Sequence, residues 1–330
     1  MEDIRIAGTG SYVPPRVLSN HDLEGMGLDT TDEWITQRTG VKERRMAGPD
    51  VTTSDLALEA SLKALEAAEM RPQELDLVIC ATITPDTHCP AAANWLQAKL
   101  DAPQAVTFDL TAACSGFVFA IDTASQYLRT GAARRVLVVA SEVMTRTLNW
   151  SDRSSCILWG DGAGAAVLTG GGKGARVLSS HIHTDGKNGT DLLLPGGGSK
   201  TTPISHESVD RGLHYLTMIE ANATFRVAVR HFVEAIKETA ENNSIQIEDI
   251  NLFIPHQANI RMFQSVAKIL QIPFERFYMT IHKYGNISSA SCAISLDEAV
   301  RDGTIRPGDL VCLPVFGGGL TWGSTLIRWE

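Results

Sequence analysis

The sequence predicts an α/β fold assembled from two related halves. Short β-rich runs alternate with amphipathic segments along the 330 residues, the signature of strands covered by helices. The strand runs are continuously apolar, as suits strands buried on both faces. Two stretches of the first half also recur in the second.

In chain order, strands are expected at 4–10 (IRIAGTG), 75–83 (LDLVICATI), 106–111 (VTFDLT), 135–142 (RVLVVASE), 164–170 (GAAVLTG), 250–255 (INLFIP) and 309–315 (DLVCLPV). Helices are expected at 54–69, 115–129, 221–241, 259–270 and 289–301. The helix at 115–129 shows its apolar face in Phe117, Ile121, Ala124 and Leu128. Loops fall at GGGKGA (170–175) and PGGGSKTTP (195–203).

The repeat has two parts. ALEASLKALEAAEMRPQELDLVICAT resembles AVRHFVEAIKETAENNSIQIEDINLFIPH, each an amphipathic helix, an acidic loop and a strand. Superposing Leu77 on Leu252 offsets the halves by 175 residues and sets Ala81 opposite His256. LTAACSGFVFAIDTASQYLRTG likewise resembles YGNISSASCAISLDEAVRDG. Superposing Gly131 on Gly303 offsets them by 172 and sets Cys114 opposite Asn286. The halves are therefore expected at 1–170 and 171–330, with equivalent strand-to-helix loops meeting at one centre.

Composition narrows the function. At 44% hydrophobic and 20% charged the chain can bury a large core, and its net charge of −9 argues against nucleic-acid binding. The six cysteines form no CxxC pair and sit mostly in apolar runs, which reads as buried thiols in a reducing compartment. The N-terminal MEDIRIAGTG carries no signal-peptide pattern, and the apolar runs fall short of the roughly 20 residues of a membrane span. The expectation is a soluble, cytoplasmic protein that does not engage membranes.

Cys114 lies in FDLTAACSGF, at the entry to a helix, where the dipole and unpaired N–H groups favour a thiolate. His256, in IPHQAN, ends a strand. Asn286, in HKYGNISSAS, would be an ordinary turn residue but for the repeat. GDGAGA (160–165) runs into a strand instead of opening a helix, so it fails the dinucleotide-binding mechanism. GGG at 317–319 reads as a hairpin turn or as exposed N–H groups of an oxyanion site. His181, His183, His88 and Cys89 lack further ligands at zinc-like spacing, so no metal is expected.

TAACSGF, GDGAGA, PHQAN, YGNISSAS and FGGGLTWG, in this order and nearly end to end, resemble the β-ketoacyl-acyl carrier protein synthase III family. The resemblance implies a thiolase-like fold, two pseudo-symmetric halves forming a five-layer αβαβα sandwich, normally as a homodimer. It implies initiation of type II fatty acid synthesis: an acyl-CoA primer and malonyl-acyl carrier protein condense with loss of CO2. Coenzyme A thioester is then a substrate, and no cofactor is expected. Cys114 would be the nucleophile, His256 and Asn286 the donors to the malonyl thioester, and the N–H groups of Cys114 and Gly318 the oxyanion hole. The resemblance assigns Thr30, Trp34, Arg38, Arg153 and Asn259 to coenzyme A, and Arg261 and Lys268 to docking of the acidic carrier protein. Cys89 stands where acetyl-selective members have phenylalanine at the acyl pocket's end, and Trp159 replaces a commoner phenylalanine there. The segment TMIEANATF (217–225) is one residue longer than the family's pattern. The alternatives are a polyketide-starter or acyl-transfer relative, and a catalytically silent coenzyme A-binding homologue.

Overall fold

The structure, a computed structural model, describes residues 3–187, 189, 192–199, 203–219 and 221–330. Residues 200–202 of the loop expected at 195–203, and residue 220 of the longer segment 217–225, lie outside the described residues.

Among the described residues, nine strands form one mixed sheet: β1 Ile4–Tyr12, β2 Leu77–Ala81, β3 Val106–Leu110, β4 Arg135–Val143, β5 Asp161–Gly170, β6 Ala175–Thr184, β7 Leu252–Phe253, β8 Leu310–Gly317 and β9 Thr321–Arg328. Their spatial order is β7-β8-β9-β6-β1-β5-β4-β2-β3. The helices that matter here are α1 Asp32–Thr39, α2 Thr53–Ala67, α3 Ala92–Leu100, α4 Gly116–Arg129, α5 Ala221–Asn242, α6 Ile260–Leu270 and α7 Ala290–Arg301.

The pairing pattern repeats outward from the β1–β6 contact. On one side β1 is antiparallel to β5 and β5 to β4, and β4 is parallel to β2, which is parallel to β3. On the other, β6 is antiparallel to β9 and β9 to β8, and β8 is parallel to β7. Phe253 of β7 makes a parallel bridge to Phe277, where β3 has its counterpart. Leu77 pairs with Val136 and Leu252 with Val311, so strand partners repeat at a separation of 175.

That register corrects the offset of 172 taken from the helix ends. Two non-glycine residues at equivalent turns have almost the same left-handed backbone, Ala113 at φ +46° and Ser288 at φ +45°, and these too are 175 apart. Cys114 is thus matched by Ser289, not Asn286. The helix ends mislead because α4 has 14 residues and α7 only 12, which brings Gly303 forward.

Alternating burial along the strands makes five layers. Val78, Cys80, Leu137, Val139, Ala163, Ala165 and Val167 pack under α2 and α3. The opposite face of these strands and the inner face of β6–β9 share one core with α4 and α7. Phe253, Leu310, Cys312 and Leu326 pack outward on α5 and α6. The two buried helices α4 and α7 begin at the turns carrying Cys114 and Ser289, so the layering itself delivers both turns to the centre.

GDGAGA is strand throughout from Asp161, and its glycines serve packing. A Cβ on Gly164 would lie 2.5 Å from Ala293 Cβ and 2.7 Å from Ala293 carbonyl carbon, so α7 rests directly on bare strand. Gly164→Ala is expected to cost about 1–3 kcal/mol through overpacking and to lower the calorimetric unfolding midpoint. An unchanged midpoint would contradict the close approach.

Candidate active site

A cavity of about 340 Å³ runs from exposed Arg38 and Arg261 inward to buried Cys114, His256 and Asn286. Its walls include Leu192, Met218, Phe225, Met262 and Leu320. A largely apolar tunnel with a few polar groups at its floor is the usual form of a small-molecule site.

Cys114 sits in a single 3₁₀ turn, Ala113–Ser115, before α4. The turn is clamped to the β8–β9 hairpin: Ser115 Oγ donates to Thr321 O at 3.0 Å, and Thr321 Oγ1 donates to Ala112 O at 3.1 Å. A Cβ on Gly317 would lie 2.8 Å from Cys114 N, so only glycine lets this hairpin close on the Cys114 amide. The hairpin turn after Gly317 therefore serves structure and also borders the thiol.

His256 follows β7. Its backbone N–H donates to Pro314 O at 3.1 Å, which docks it against β8. Gln257, which the sequence alone did not single out, secures the next link. Its Oε1 accepts from Thr280 N at 2.9 Å and from Ile281 N at 3.1 Å, at the start of the segment leading to Asn286. Asn286 is held by its main chain, donating to Leu158 O at 2.8 Å and accepting from Gly160 N at 3.0 Å. Arg44, fully buried, supports this loop by donating to Ile157 O, Leu18 O and Asn20 Oδ1. Asn286 Oδ1 accepts from Ser288 N at 2.8 Å, so the group left for a ligand is the amide NH2.

Ser288 is the residue that sequence reasoning missed. Its N–H orients Asn286, its hydroxyl lies beside the Cys114 thiol without completing a hydrogen bond, and its main chain acts on the His256 imidazole. Its left-handed backbone costs of order 1–3 kcal/mol. The sequence signal was SSAS following GN, but nothing in that string marks one serine over another.

Burial controls the protonation of the site. It pushes the Cys114 thiol up to about 12, against the Ser288 hydroxyl and the main chain of Gly318 and Cys114 itself, which pull it down; Glu142 adds to the rise. Burial likewise drives the His256 imidazole down to about 3, with the Ser288 main chain opposing. Burial thus works against the thiolate that the helix entry favours, and it favours the uncharged imidazole. Desolvation outweighs what the helix entry offers, because the cations that line the cavity, Arg38 and Arg261, stand at its exposed end and not at the thiol.

At the tunnel mouth, two guanidinium groups lie against the ring of Trp34 of α1, Arg38 at 5.1 Å and Arg153 at 4.9 Å from its centre. Arg153 also bonds Asp29. Asn259 caps α6 through Arg261 N at 2.9 Å and donates to Arg38 O at 3.0 Å. Thr30 lies outside the cavity lining, and its hydroxyl has no hydrogen-bond partner among the described residues. Arg261 and Lys268 are both exposed on α6. Trp159 is 2% exposed and lines the tunnel beside Cys114. Cys89 does not join it: it is exposed on the outward 84–90 loop, away from this chain's tunnel.

Two family models match the chain, one described as 3-oxoacyl-[acyl-carrier-protein (ACP)] synthase III over residues 108–186 and one as its C-terminal part over residues 240–329. The chain is 47% identical over 325 residues to a β-ketoacyl-[acyl-carrier-protein] synthase III of Caldanaerobacter subterraneus subsp. tengcongensis, covering 98% of this chain and 97% of that protein. It is 48% identical over 330 residues to the protein of that name from Alkalilimnicola ehrlichii, covering all of both. Among solved structures, the 3-oxoacyl-[acyl-carrier-protein] synthase III of Aquifex aeolicus VF5 superposes with a TM-score of 0.89 at 40% identity, covering 98% of this chain and 99% of that one. The fold is thiolase-like.

The neutral thiol has a kinetic consequence. Alkylation of Cys114 by iodoacetamide, followed by peptide mass spectrometry to separate it from exposed Cys89, should rise roughly tenfold per pH unit between about pH 6 and about pH 10, because the thiolate is the reactive form. A plateau beginning near neutral pH would show a stabilised thiolate instead.

Proposed function

The chain belongs to the 3-oxoacyl-[acyl-carrier-protein] synthase III family, and we propose that it condenses an acyl-CoA primer with malonyl-acyl carrier protein, initiating type II fatty acid synthesis. The observation that carries this reading is the convergence of Cys114, His256 and Asn286 on the floor of one tunnel open to the surface. Residues 1–170 supply the nucleophile and residues 171–330 the two donors.

In the first half-reaction, Cys114 sulfur bonds to the primer's acyl carbon and the bond to coenzyme A sulfur breaks. The thiol proton leaves with coenzyme A, so the exchange carries no net charge into a site that disfavours it. The N–H groups of Cys114 and Gly318 stabilise the oxyanion of the tetrahedral intermediate.

In the second, the malonyl thioester loses CO2 and its thioester oxygen takes up the enolate charge. The neutral imidazole of His256 and the amide NH2 of Asn286 are donors for that oxygen, and fixed donors in a dry site stabilise such charge strongly. The enolate carbon attacks the acyl-Cys114 carbonyl, and the Cys114 sulfur leaves and takes a proton. The product is β-ketoacyl-acyl carrier protein.

Trp34 with Arg38 and Arg153 forms a cationic aromatic cluster suited to the adenine and phosphates of coenzyme A. Thr30, two residues before α1, and Asn259, which lines the tunnel, complete the residues assigned to coenzyme A. Arg261 and Lys268 on α6 present positive charge beside the mouth to an acidic carrier protein. Trp159 limits the acyl chain from within the tunnel.

The exposed edge of β3 supports a homodimer. Val106 is 63% exposed, with Trp95 and Tyr127 exposed nearby and Phe108 half-buried against Tyr127 at 6.2 Å between rings. An unpaired apolar edge strand is a template for pairing with a second copy. Cys89 is exposed and outside this chain's tunnel lining, so the acyl-pocket role assigned to it would need a second protomer. No described helix is long and apolar enough to cross a membrane, and the proposed reaction places the protein in the cytoplasm with carrier protein and coenzyme A.

Intact-mass measurement after incubation with a panel of acyl-CoAs tests the reading. Cys114→Ala should abolish acyl-enzyme formation. His256→Ala or Asn286→Ala should keep acylation but slow condensation with malonyl-acyl carrier protein by about 3–4 kcal/mol of barrier, the usual loss for one such donor. Equal loss of both half-reactions in all three variants would contradict the roles. Binding of coenzyme A without acylation would identify a silent homologue. Val106→Pro should shift the protein from dimer to monomer in sedimentation equilibrium.

A further inference from the structure

The carboxylate of Glu142 is fully buried at the end of β4, and the reaction outlined above makes no use of it. Four donors converge on it. Oε2 accepts from Thr84 Oγ1 at 2.6 Å, from Ile83 N at 3.1 Å and from Thr82 Oγ1 at 3.2 Å, all at the exit of β2. Oε1 accepts from Ser289 Oγ at 2.7 Å, across the boundary between the halves. Ser289 Oγ also reaches Ala81 O at 3.1 Å. Ser289 immediately follows Ser288, the left-handed residue whose N–H holds Asn286 Oδ1.

The 175-residue register places Glu142 opposite Gly317 and Ser289 opposite Cys114. In one half the strand end must be bare, because a side chain at 317 would collide with Cys114 N at 2.8 Å. In the other half the equivalent space holds a carboxylate bonded to the residue that matches the nucleophile. One turn is left open for chemistry and its twin is braced.

We infer that Glu142 is a positioning residue: through Ser289 it braces the Ser288 turn, and thereby aims the Asn286 amide at the malonyl thioester. It touches no reacting atom. Its action falls on the condensation step, which uses Asn286, and not on acylation, which uses Cys114 and its own clamped turn. The inference rests on the condensing function proposed above.

The test compares Glu142→Gln with Ser289→Ala, which breaks the same link from the other side without changing charge. Both half-reactions are measured: acylation by intact mass, condensation by kcat and KM with malonyl-acyl carrier protein. Ser289→Ala should acylate at close to the wild-type rate, and Glu142→Gln, which removes a charge that raises the Cys114 thiol, should acylate no more slowly; both should keep KM for the primer and lose about 10- to 100-fold in condensation kcat, the scale of a misaimed catalytic group. The double variant should lose no more than the worse single one. Wild-type condensation rates in the folded single variants would overturn the inference, as would parallel loss of acylation and condensation. Failure of both variants to fold, judged by thermal melting, would also overturn it, by making the link a fold-holding one. A wild-type protein that acylates but never condenses would instead sink the proposed function and take the inference with it.

Discussion

Desolvation at the seam between the two halves is the constraint on which the rest of the site depends. The tunnel floor excludes water from a thiol, an imidazole and an amide together, and the same burial that raises one pKa lowers the other. Both shifts favour the uncharged forms of the thiol and the imidazole at rest. Such a floor suits reactions whose charge appears only in passing, because preformed N–H donors then face a new anion with no water to compete. It is poorly suited to storing an ion pair. The chemistry proposed here, a proton-neutral thioester exchange followed by a decarboxylation that creates an enolate, matches that limitation.

Bringing these groups to one seam is the work of the repeated fold. Each half sends a buried helix inward from a left-handed turn, at Ala113 and at Ser288, and the two helices share the central core. Symmetry supplies the two turns but not their different uses. The difference comes from what stands behind each turn: bare Gly317 behind Cys114, and a carboxylate behind Ser289. Asn286 and His256 come from the second half, so neither half holds the whole site. The glycines of GDGAGA belong to the same logic, since α7 can rest on β5 only where side chains are missing.

Around this core the recognition surfaces are looser. The Trp34 cluster is held by cation contacts near 5 Å at the surface, and Arg153 is tied to Asp29. These are contacts that a ligand can rearrange at modest cost. On the function proposed above, the buried floor sets the reaction and the mouth sets which substrates reach it.

The α/β class, most strand and helix positions, the two-part repeat, and Cys114, His256 and Asn286 as candidates are legible in the letters alone. Those are carried by periodicity and by local strings, which a chain displays without being folded. The strands Ala175–Thr184 and Thr321–Arg328 were less legible: one was not expected, and the other was glimpsed only as a run after GGG. Folding alone reveals that the true register is 175, that burial opposes the thiolate, that Cys89 is exposed outside its own chain's tunnel lining, and that Ser288 links all three candidates. Each of these depends on burial or on contacts between residues far apart in the chain. Desolvation and a left-handed turn held from both sides are collective properties, so no short string of letters encodes them.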